Sequence, residues 1–373
     1  MKNRVVGPSI FSEMSRLASA CGAINLAQGF PNLPIDYRLL SNLKEVLDEN
    51  HHQYAPYQGS MHLREAIIQF VDRTQNTQLS IDEVLITAGA TQGIFTAIQA
   101  LVNSGEEVVL LDPCYDCYEY PIMLVGAKPI HLSLNKDFLP DWNLIFDVVS
   151  DKTALIIINS PHNPSGIMWR EEDYQRLSEL LDKNPQLKVL SDEVYEFLFY
   201  EKPHLSVRNR SEIKNRAVVV SSFGKSLQAT GWKMGYLTAP ESLMRPILAV
   251  HQYLVFSVNS VMQEGIARYL PNFNPEEVRI SYLQKRNLLR KALEKSKFSL
   301  LPCEGTYFQS LDFKRVSDQG DEEFCRWLTQ EIGVAAIPFS VFYESKEDHQ
   351  KIRLCFAKDN QTIMDATERL CKI

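Results

Sequence analysis

The sequence predicts an α/β fold: a seven-stranded, mostly parallel sheet in a large domain of residues 46–265, beside a smaller α+β domain formed by residues 1–45 and 266–373. Three observations carry this reading. From about residue 80 to residue 238, short apolar, β-branched runs alternate with helix-like segments, the rhythm of parallel strands joined by crossover helices. After about residue 265 the rhythm gives way to a long charged helical stretch and then to short strand-like runs. No repeat, low-complexity tract or Pro/Gly/Ser-rich linker interrupts the chain, so the two domains are expected to pack tightly. At 373 residues the chain can bury one large core and a second, smaller one.

Taken in order, the pattern predicts a helix over Ser9 to Ala20, entered from Gly7-Pro8. A strand-like piece at Ile24 then runs into Gly29-Phe30-Pro31, a loop with its backbone open to contact. Helices are predicted over Leu39 to Asn50 and Leu63 to Thr74, with the turn-rich Tyr54 to Gly59 between them. The seven strands are Val84 to Thr87, Val108 to Leu111, Pro129 to Leu132, Ala154 to Asn159, Lys188 to Ser191, Ala217 to Ser222 and Met234 to Thr238. Helix-like segments at Gln92 to Val102, Tyr115 to Val125 and Glu171 to Asp182 separate most of them. The second domain is expected to hold helices at Pro275 to Ser296, Gly320 to Ile332 and Thr362 to Ile373. Its strands are expected at Phe298 to Pro302, Thr306 to Asp312, Val334 to Pro338 and Lys351 to Phe356.

Composition excludes several classes. A net charge of −7 with scattered basic residues argues against nucleic acid or an anionic membrane as the main partner. No apolar run reaches the length of a membrane span, and the N-terminus lacks a signal-peptide apolar core. Seven cysteines, an odd number without framework spacing, read as reduced thiols, so a cytoplasmic location is expected. Cys114-x-x-Cys117 has redox spacing but no second pair for zinc, and His51-His52 has no third ligand at metal spacing; no metal is expected.

Chemistry gathers at the strand ends. Lys225 sits just past the strand Ala217 to Ser222, where α/β proteins place ligand chemistry. A lysine held partly out of water there is a plausible amine nucleophile toward an aldehyde; the alternative is a solvated surface charge. Gly224-Lys225-Ser226 is also the tail of a P-loop, but the glycine that motif requires is replaced by Val219 within the strand. Ala88 to Gly93 opens a helix with small residues and suits an anion such as phosphate, or is an ordinary tight turn. Asn163, in a loop fixed by Pro161, Pro164 and Gly166, offers an amide to a ligand or to its own backbone. Asp192 ends a buried strand and needs a cation, or else caps a helix; Tyr195 is close enough to face the same crevice. Arg353 lies inside an apolar strand and suits a substrate carboxylate or an internal salt bridge.

Together these motifs are specific. Gly29-Phe30-Pro31, Tyr54 to Gly59, Asn163-Pro164-x-Gly166, Asp192-Glu193-Val194-Tyr195, Ser222-x-x-Lys225, Gly231-Trp232-Lys233 and Arg353 occur in order along nearly the whole chain. The series resembles the fold-type I, pyridoxal phosphate (PLP)-dependent class I aminotransferases. Within them it is similar to the branch of kynurenine aminotransferase, glutamine transaminase K and the bacterial methionine aminotransferases, down to stretches such as SSFGK, TGWKMGY, LPCEGTYF and IRLCFAK. The resemblance implies that Lys225 bonds to the PLP aldehyde and, once displaced by substrate, moves the substrate α-proton as base and acid. It implies that Asp192 pairs with the ring nitrogen, that Tyr195 and Asn163 hydrogen-bond the ring hydroxyl, and that Tyr115 stacks on the ring. Ala90, Thr91, Ser222 and Lys233 are implied to hold the phosphate, with Tyr54 reaching it from the other subunit of a homodimer. Arg353, helped by Asn163 and the Gly29 backbone, is implied to bind the α-carboxylate. Two departures stand out: Ala90 replaces a glycine frequent in relatives, and Lys233 replaces an arginine, keeping charge but losing a bidentate contact.

The activity so implied is ping-pong transfer of an amino group to a 2-oxo acid. No motif supplies a second cation for a distal carboxylate. The expected pocket residues Ile10, Phe11, Phe30, Tyr57, Tyr115, His251, Tyr253 and Phe256 suit methionine, aromatic residues, leucine or glutamine, although several of them are expected to belong to the dimer core instead. The alternative activity is a PLP-dependent cysteine-conjugate C–S β-lyase. A PLP-binding regulator would want a helix-turn-helix domain, and none fits before residue 46.

Overall fold

The computed structural model describes residues 9–373, so Gly7-Pro8 lies outside the described residues. In chain order the strands are β1 (Ile24–Asn25), β2 (Val84–Thr87), β3 (Glu107–Asp112), β4 (Lys128–Ser133), β5 (Thr153–Asn159), β6 (Lys188–Asp192), β7 (Ala217–Ser222) and β8 (Gly235–Thr238). They continue with β9 (Ser299–Leu300), β10 (Phe308–Asp312), β11 (Val334–Ala335), β12 (Ile337–Pro338) and β13 (Lys351–Cys355). Seven of them form one sheet in the order β2-β8-β7-β6-β5-β3-β4. Only β8 runs against its neighbours β2 and β7; the other pairs are parallel.

Alternation along the strands explains the layers. Leu155 and Ile157 of β5 join Leu110, Leu190, Val218 and Leu237 beneath helix Ala90–Leu101, while Ile156 and Ile158 join Val109, Val189 and Val219 against helix Glu171–Lys183. Both faces are therefore covered, as a parallel sheet requires.

A second sheet, β12-β13-β10-β9, is antiparallel and packs with helices Ile10–Cys21, Pro275–Ala292, Asp321–Trp327 and Asn360–Leu370 around Met14, Tyr282, Phe308, Phe324, Leu354 and Ile363. β1 pairs with β11, which ties the N-terminal segment to the C-terminal half of the chain. The first helix starts at its Ser9 cap, whose hydroxyl accepts from Ser12 N, and stops at Gly22, held at φ 62°.

Several expectations are corrected. The helix expected from Tyr115 begins only at Glu119, because Cys114 N is bonded to Phe342 O at 2.8 Å and the residues between form a turn. The expected strand Val334 to Pro338 divides at Ala336: β11 pairs with β1 and β12 with β13. Helices Trp142–Val148, Glu241–Leu254 and Ser260–Tyr269 were not anticipated; Pro246 inside the second reads as a breaker in sequence. No helix among the described residues is long and apolar enough to cross a membrane. All seven cysteines are free thiols.

Candidate active site

The C-terminal ends of β5, β6 and β7 lie side by side and deliver Asn159, Asp192 and Ser222 to one crevice, the position expected for ligands in an open α/β sheet. Phe308 of β10 and Arg353 of β13 face the same crevice from the second sheet. The cavity between them measures about 420 Å³.

Lys225 lies in a single helical turn, Phe223–Ser226, directly after β7. Its Nζ donates to the Tyr307 hydroxyl at 2.6 Å and lies 3.5 Å from the Gly29 carbonyl oxygen. Burial pushes its amine down to about 8, which makes the neutral, nucleophilic form accessible near physiological pH. Asp192 is 4% exposed. Its Oδ2 accepts from the Tyr118 hydroxyl at 2.6 Å and its Oδ1 from Val194 N at 3.2 Å. Burial raises this carboxyl to about 6 against the opposing pull of those hydrogen bonds. No side chain among the described residues forms an ion pair with it. The next residue, Glu193, is by contrast paired with His204 at 3.0 Å and with Arg208 at 3.6 Å. The two adjacent carboxylates thus face different surroundings, and only Asp192 lines the cleft.

At another wall, helix Ala90–Leu101 presents its N-terminus after Gly89, held at φ 80°. A Cβ on Gly89 would come within 3.3 Å of Lys233 Cε and 3.4 Å of its Nζ, so the glycine lets the ammonium reach the helix end. Thr91 and Ser222 line the same region. Arg353 is 2% exposed; its Nη1 donates to Asn163 Oδ1 at 2.6 Å, its Nη2 to Ala27 O at 3.4 Å, and its Nε has no partner. The guanidinium lies 3.9 Å from the Phe308 ring centroid and forms no ion pair among the described residues. A buried guanidinium with spare donors facing a cavity is a receptor for a carboxylate. Tyr115, beside it, meets Phe11 edge-on at 6.4 Å.

Of the residues expected from sequence, Gly29, Phe30, Ala90, Thr91, Tyr115, Asn163, Asp192, Tyr195, Ser222, Lys225, Lys233 and Arg353 all line this cavity, as does Phe11. Tyr54 and Tyr57 do not. Tyr54 is 81% exposed, and Tyr57 lies in a separate surface cavity with Arg64, Asp82 and Met244, its loop fixed by Ile86 N donating to Gln58 O at 3.0 Å. Tyr57 is thus corrected as a residue of this chain's own cleft. His251 is buried in helix Glu241–Leu254 near Gln92, while Tyr253 and Phe256 are exposed; none of them, nor Ile10, lines the cavity. Sequence reasoning missed Tyr118, Asn159, Asp116 and Tyr307. Tyr118 follows Tyr115 closely in the turn and was legible as its neighbour, whereas Tyr307 opens a strand-like run, where an aromatic residue reads as core.

The sequence profile of the family described as "Aminotransferase class I and II" matches residues 22–370. The chain belongs to this family. A methionine aminotransferase of Escherichia coli strain K12 is 44% identical over 98% of this chain and 96% of its own length. A kynurenine–oxoglutarate transaminase of Dictyostelium discoideum is 31% identical over 98% of this chain and 94% of its own. Among solved structures, a methionine aminotransferase from Escherichia coli matches with a TM-score of 0.96 at 42% identity, covering 99% of this chain and 98% of that one. The protein is a fold-type I, PLP-dependent aminotransferase acting on amino acids and 2-oxo acids. Nothing among these relatives supports the lyase activity. The cleft suits the cofactor on three counts: a buried carboxylate without a cation, an ammonium meeting a helix N-terminus across a side-chain-free glycine, and a buried amine.

Proposed function

We propose that this aminotransferase takes methionine and other large neutral or aromatic amino acids, glutamine and leucine among them, as amino donors. One observation carries the proposal: Arg353 is the sole guanidinium among the described residues lining the cleft, and the walls around it are Phe11, Phe30, Tyr115 and Phe308. The other lining cations, Lys225 and Lys233, have other work, and Asp116 on the same wall disfavours a second substrate carboxylate. The 44% identity to a methionine aminotransferase supports the same donor class.

PLP, when bound, supplies an aldehyde that takes the amino group and a protonated ring that draws electrons from the α-carbon. In this reading the chain's residues do the rest. Arg353 and the Asn163 amide hold the substrate α-carboxylate, with the Gly29 backbone beside them, and so aim the α-proton at Lys225. Lys225, neutral in an appreciable fraction because it is buried, removes the proton from the substrate α-carbon and, as the ammonium so formed, is the acid that gives it back. Asp192 keeps the ring nitrogen protonated, and Tyr118 and Val194 N fix the carboxylate for that task. Tyr195 and the amide nitrogen of Asn163 serve the ring hydroxyl, Tyr115 covers the ring, and Ala90, Thr91, Ser222 and Lys233 cradle the phosphate.

The working unit in this proposal is a cytoplasmic homodimer, each chain divided into a large domain of residues 46–265 and a small one of residues 1–45 and 266–373. Tyr54, Tyr253 and Phe256 are 81%, 88% and 54% exposed, and the Tyr54 and Phe256 rings meet at 5.2 Å. Such a patch wants a cover, and a second copy would bring Tyr54 to its neighbour's phosphate site.

The test is a donor panel with a common 2-oxo acid. Methionine, phenylalanine and leucine are expected to exceed aspartate in kcat/KM by at least about 100-fold. Preference for aspartate would overturn the donor class. Release of pyruvate and ammonia from cysteine conjugates, without transamination, would favour the lyase.

A further inference from the structure

Tyr307 is fully buried, and its hydroxyl stands between two groups of the cleft. It accepts from Lys225 Nζ at 2.6 Å and donates to the Gly29 carbonyl oxygen at 2.6 Å. A carbonyl has no proton to give, so the phenol proton is committed to Gly29 and the phenol oxygen faces Lys225 as an acceptor. The ring cannot swing away: Tyr195, Phe308 and Tyr282 hold it at centroid distances of 5.2, 4.8 and 5.8 Å. Gly29 approaches this closely because it has no side chain; a Cβ there would fall 2.7 Å from Phe308 Cζ.

We propose that Tyr307 is a positioning residue whose phenol oxygen docks the Lys225 amine whenever that amine is off the cofactor, tying the docked state to the Gly29 loop that lines the substrate cleft. The inference rests on the assignment of Lys225 as the amine exchanged with substrate. An acceptor aimed at an amine favours its ammonium form, so the docked lysine keeps the proton it has taken until it returns it. The other groups acting on this amine are Cys355, Arg353, Asp192 and Lys233, with the Tyr195 ring 5.5 Å away. Tyr307 makes the short hydrogen bond to the amine, at 2.6 Å, and the Gly29 carbonyl oxygen is a longer acceptor at 3.5 Å.

The test is competitive acylation of the enzyme loaded with pyridoxamine 5′-phosphate, the cofactor form in which Lys225 is free. Labelling of the Lys225 peptide is followed against pH by mass spectrometry. Tyr307→Phe is expected to lower the midpoint of Lys225 reactivity by about one pH unit. It is also expected to lower kcat about tenfold while KM for methionine changes less than about twofold. A side chain with a purely structural role would lower thermal stability without moving that midpoint; an unmoved midpoint with unchanged kcat overturns the proposal. If Tyr307→Phe does not fold, 3-fluorotyrosine at position 307 keeps ring and hydroxyl but weakens the acceptor, and a smaller downward shift is expected, its absence again overturning the proposal. Lys225→Ala is measured alongside. If it still transaminates, the assignment of Lys225 fails; if it is inactive while Tyr307→Phe behaves as the native chain, only the role of Tyr307 fails.

Discussion

Asp192 carries a charge that is unfavourable in the chain alone and that the proposed function pairs with a cationic ring nitrogen. Its carboxyl, raised by burial to about 6, sits above the ordinary aspartate value of 3.8. For an acid raised in the folded state, the cost is absent below the unfolded value, grows between about 4 and 6, and is complete above that. Asp192→Asn is therefore expected to stabilise the cofactor-free chain at pH 8, by at most about 3 kcal/mol and so by a few degrees in Tm, and to give no such gain at pH 4. Transamination in the same variant is expected to fall at least about 100-fold. Calorimetry at the two pH values and an activity assay check both halves. Arg353→Lys keeps the charge but loses the planar fork, so KM for the amino acid is expected to rise about 10- to 100-fold with a smaller change in kcat. At this scale the sequence was informative wherever a polar residue interrupted an apolar strand or the loop after one, as at Asp192, Asn163 and Arg353. It was silent on Tyr307, because an aromatic residue in a strand-like run looks the same whether its hydroxyl meets a polar group of the cleft or merely fills the core, and it offered Tyr118 only as a neighbour of Tyr115.

Elements meet at glycines, and two of these separate a local effect on the cleft from an effect on packing. On β8, a Cβ at Gly235 would lie 2.8 Å from Ser221 O and 3.1 Å from Ala90 N, both backbone atoms. Gly235→Ala must then displace either the strand or the N-terminus of helix Ala90–Leu101, and it is expected to cost about 1–3 kcal/mol and to weaken PLP binding as well. In helix Ser260–Tyr269, a Cβ at Gly265 would meet Leu43 Cδ2 at 2.3 Å, across the contact with helix Tyr37–Leu47. Gly265→Ala is expected to lower Tm by a similar overpacking cost while leaving KM unchanged. Thermal melts with and without PLP distinguish the two. The strands of the large sheet were legible from short apolar runs: Val84–Thr87 and Ala217–Ser222 fall where the pattern places them. Boundaries set by tertiary contact were not legible. The late start of the helix at Glu119 follows from a bond to Phe342, more than two hundred residues away in sequence, and the helix around Pro246 runs against its local signal.

At the scale of the whole molecule, the cleft is built between a sheet contributed by residues 84–238 and one contributed by residues 299–355, with β1 pinned to β11 behind it. The aromatic residues Tyr54, Tyr253 and Phe256 lie on the outside of this body. Of the aromatic and polar candidates for the pocket, His251 is buried beside Gln92, and Tyr253 and Phe256 are exposed, so none of the three lines this chain's own cavity. Residue type marks them as contact-forming, but which surface they contact depends on three-dimensional placement. If the proposed homodimer forms through this patch, Phe256→Glu is expected to shift it toward monomer in sedimentation and to weaken PLP retention, since Tyr54 would lose its neighbour. A dimer unaffected by that charge would place the interface elsewhere.

Everything proposed for the cleft depends on Lys225 being the amine that carries the cofactor. The most direct measurement is borohydride reduction of the purified enzyme, followed by peptide mass mapping. A reduced pyridoxyl phosphate adduct is expected on the peptide containing Lys225, and none in Lys225→Ala. An adduct on Lys233 or another lysine, or a Lys225→Ala variant that still transaminates, would contradict it.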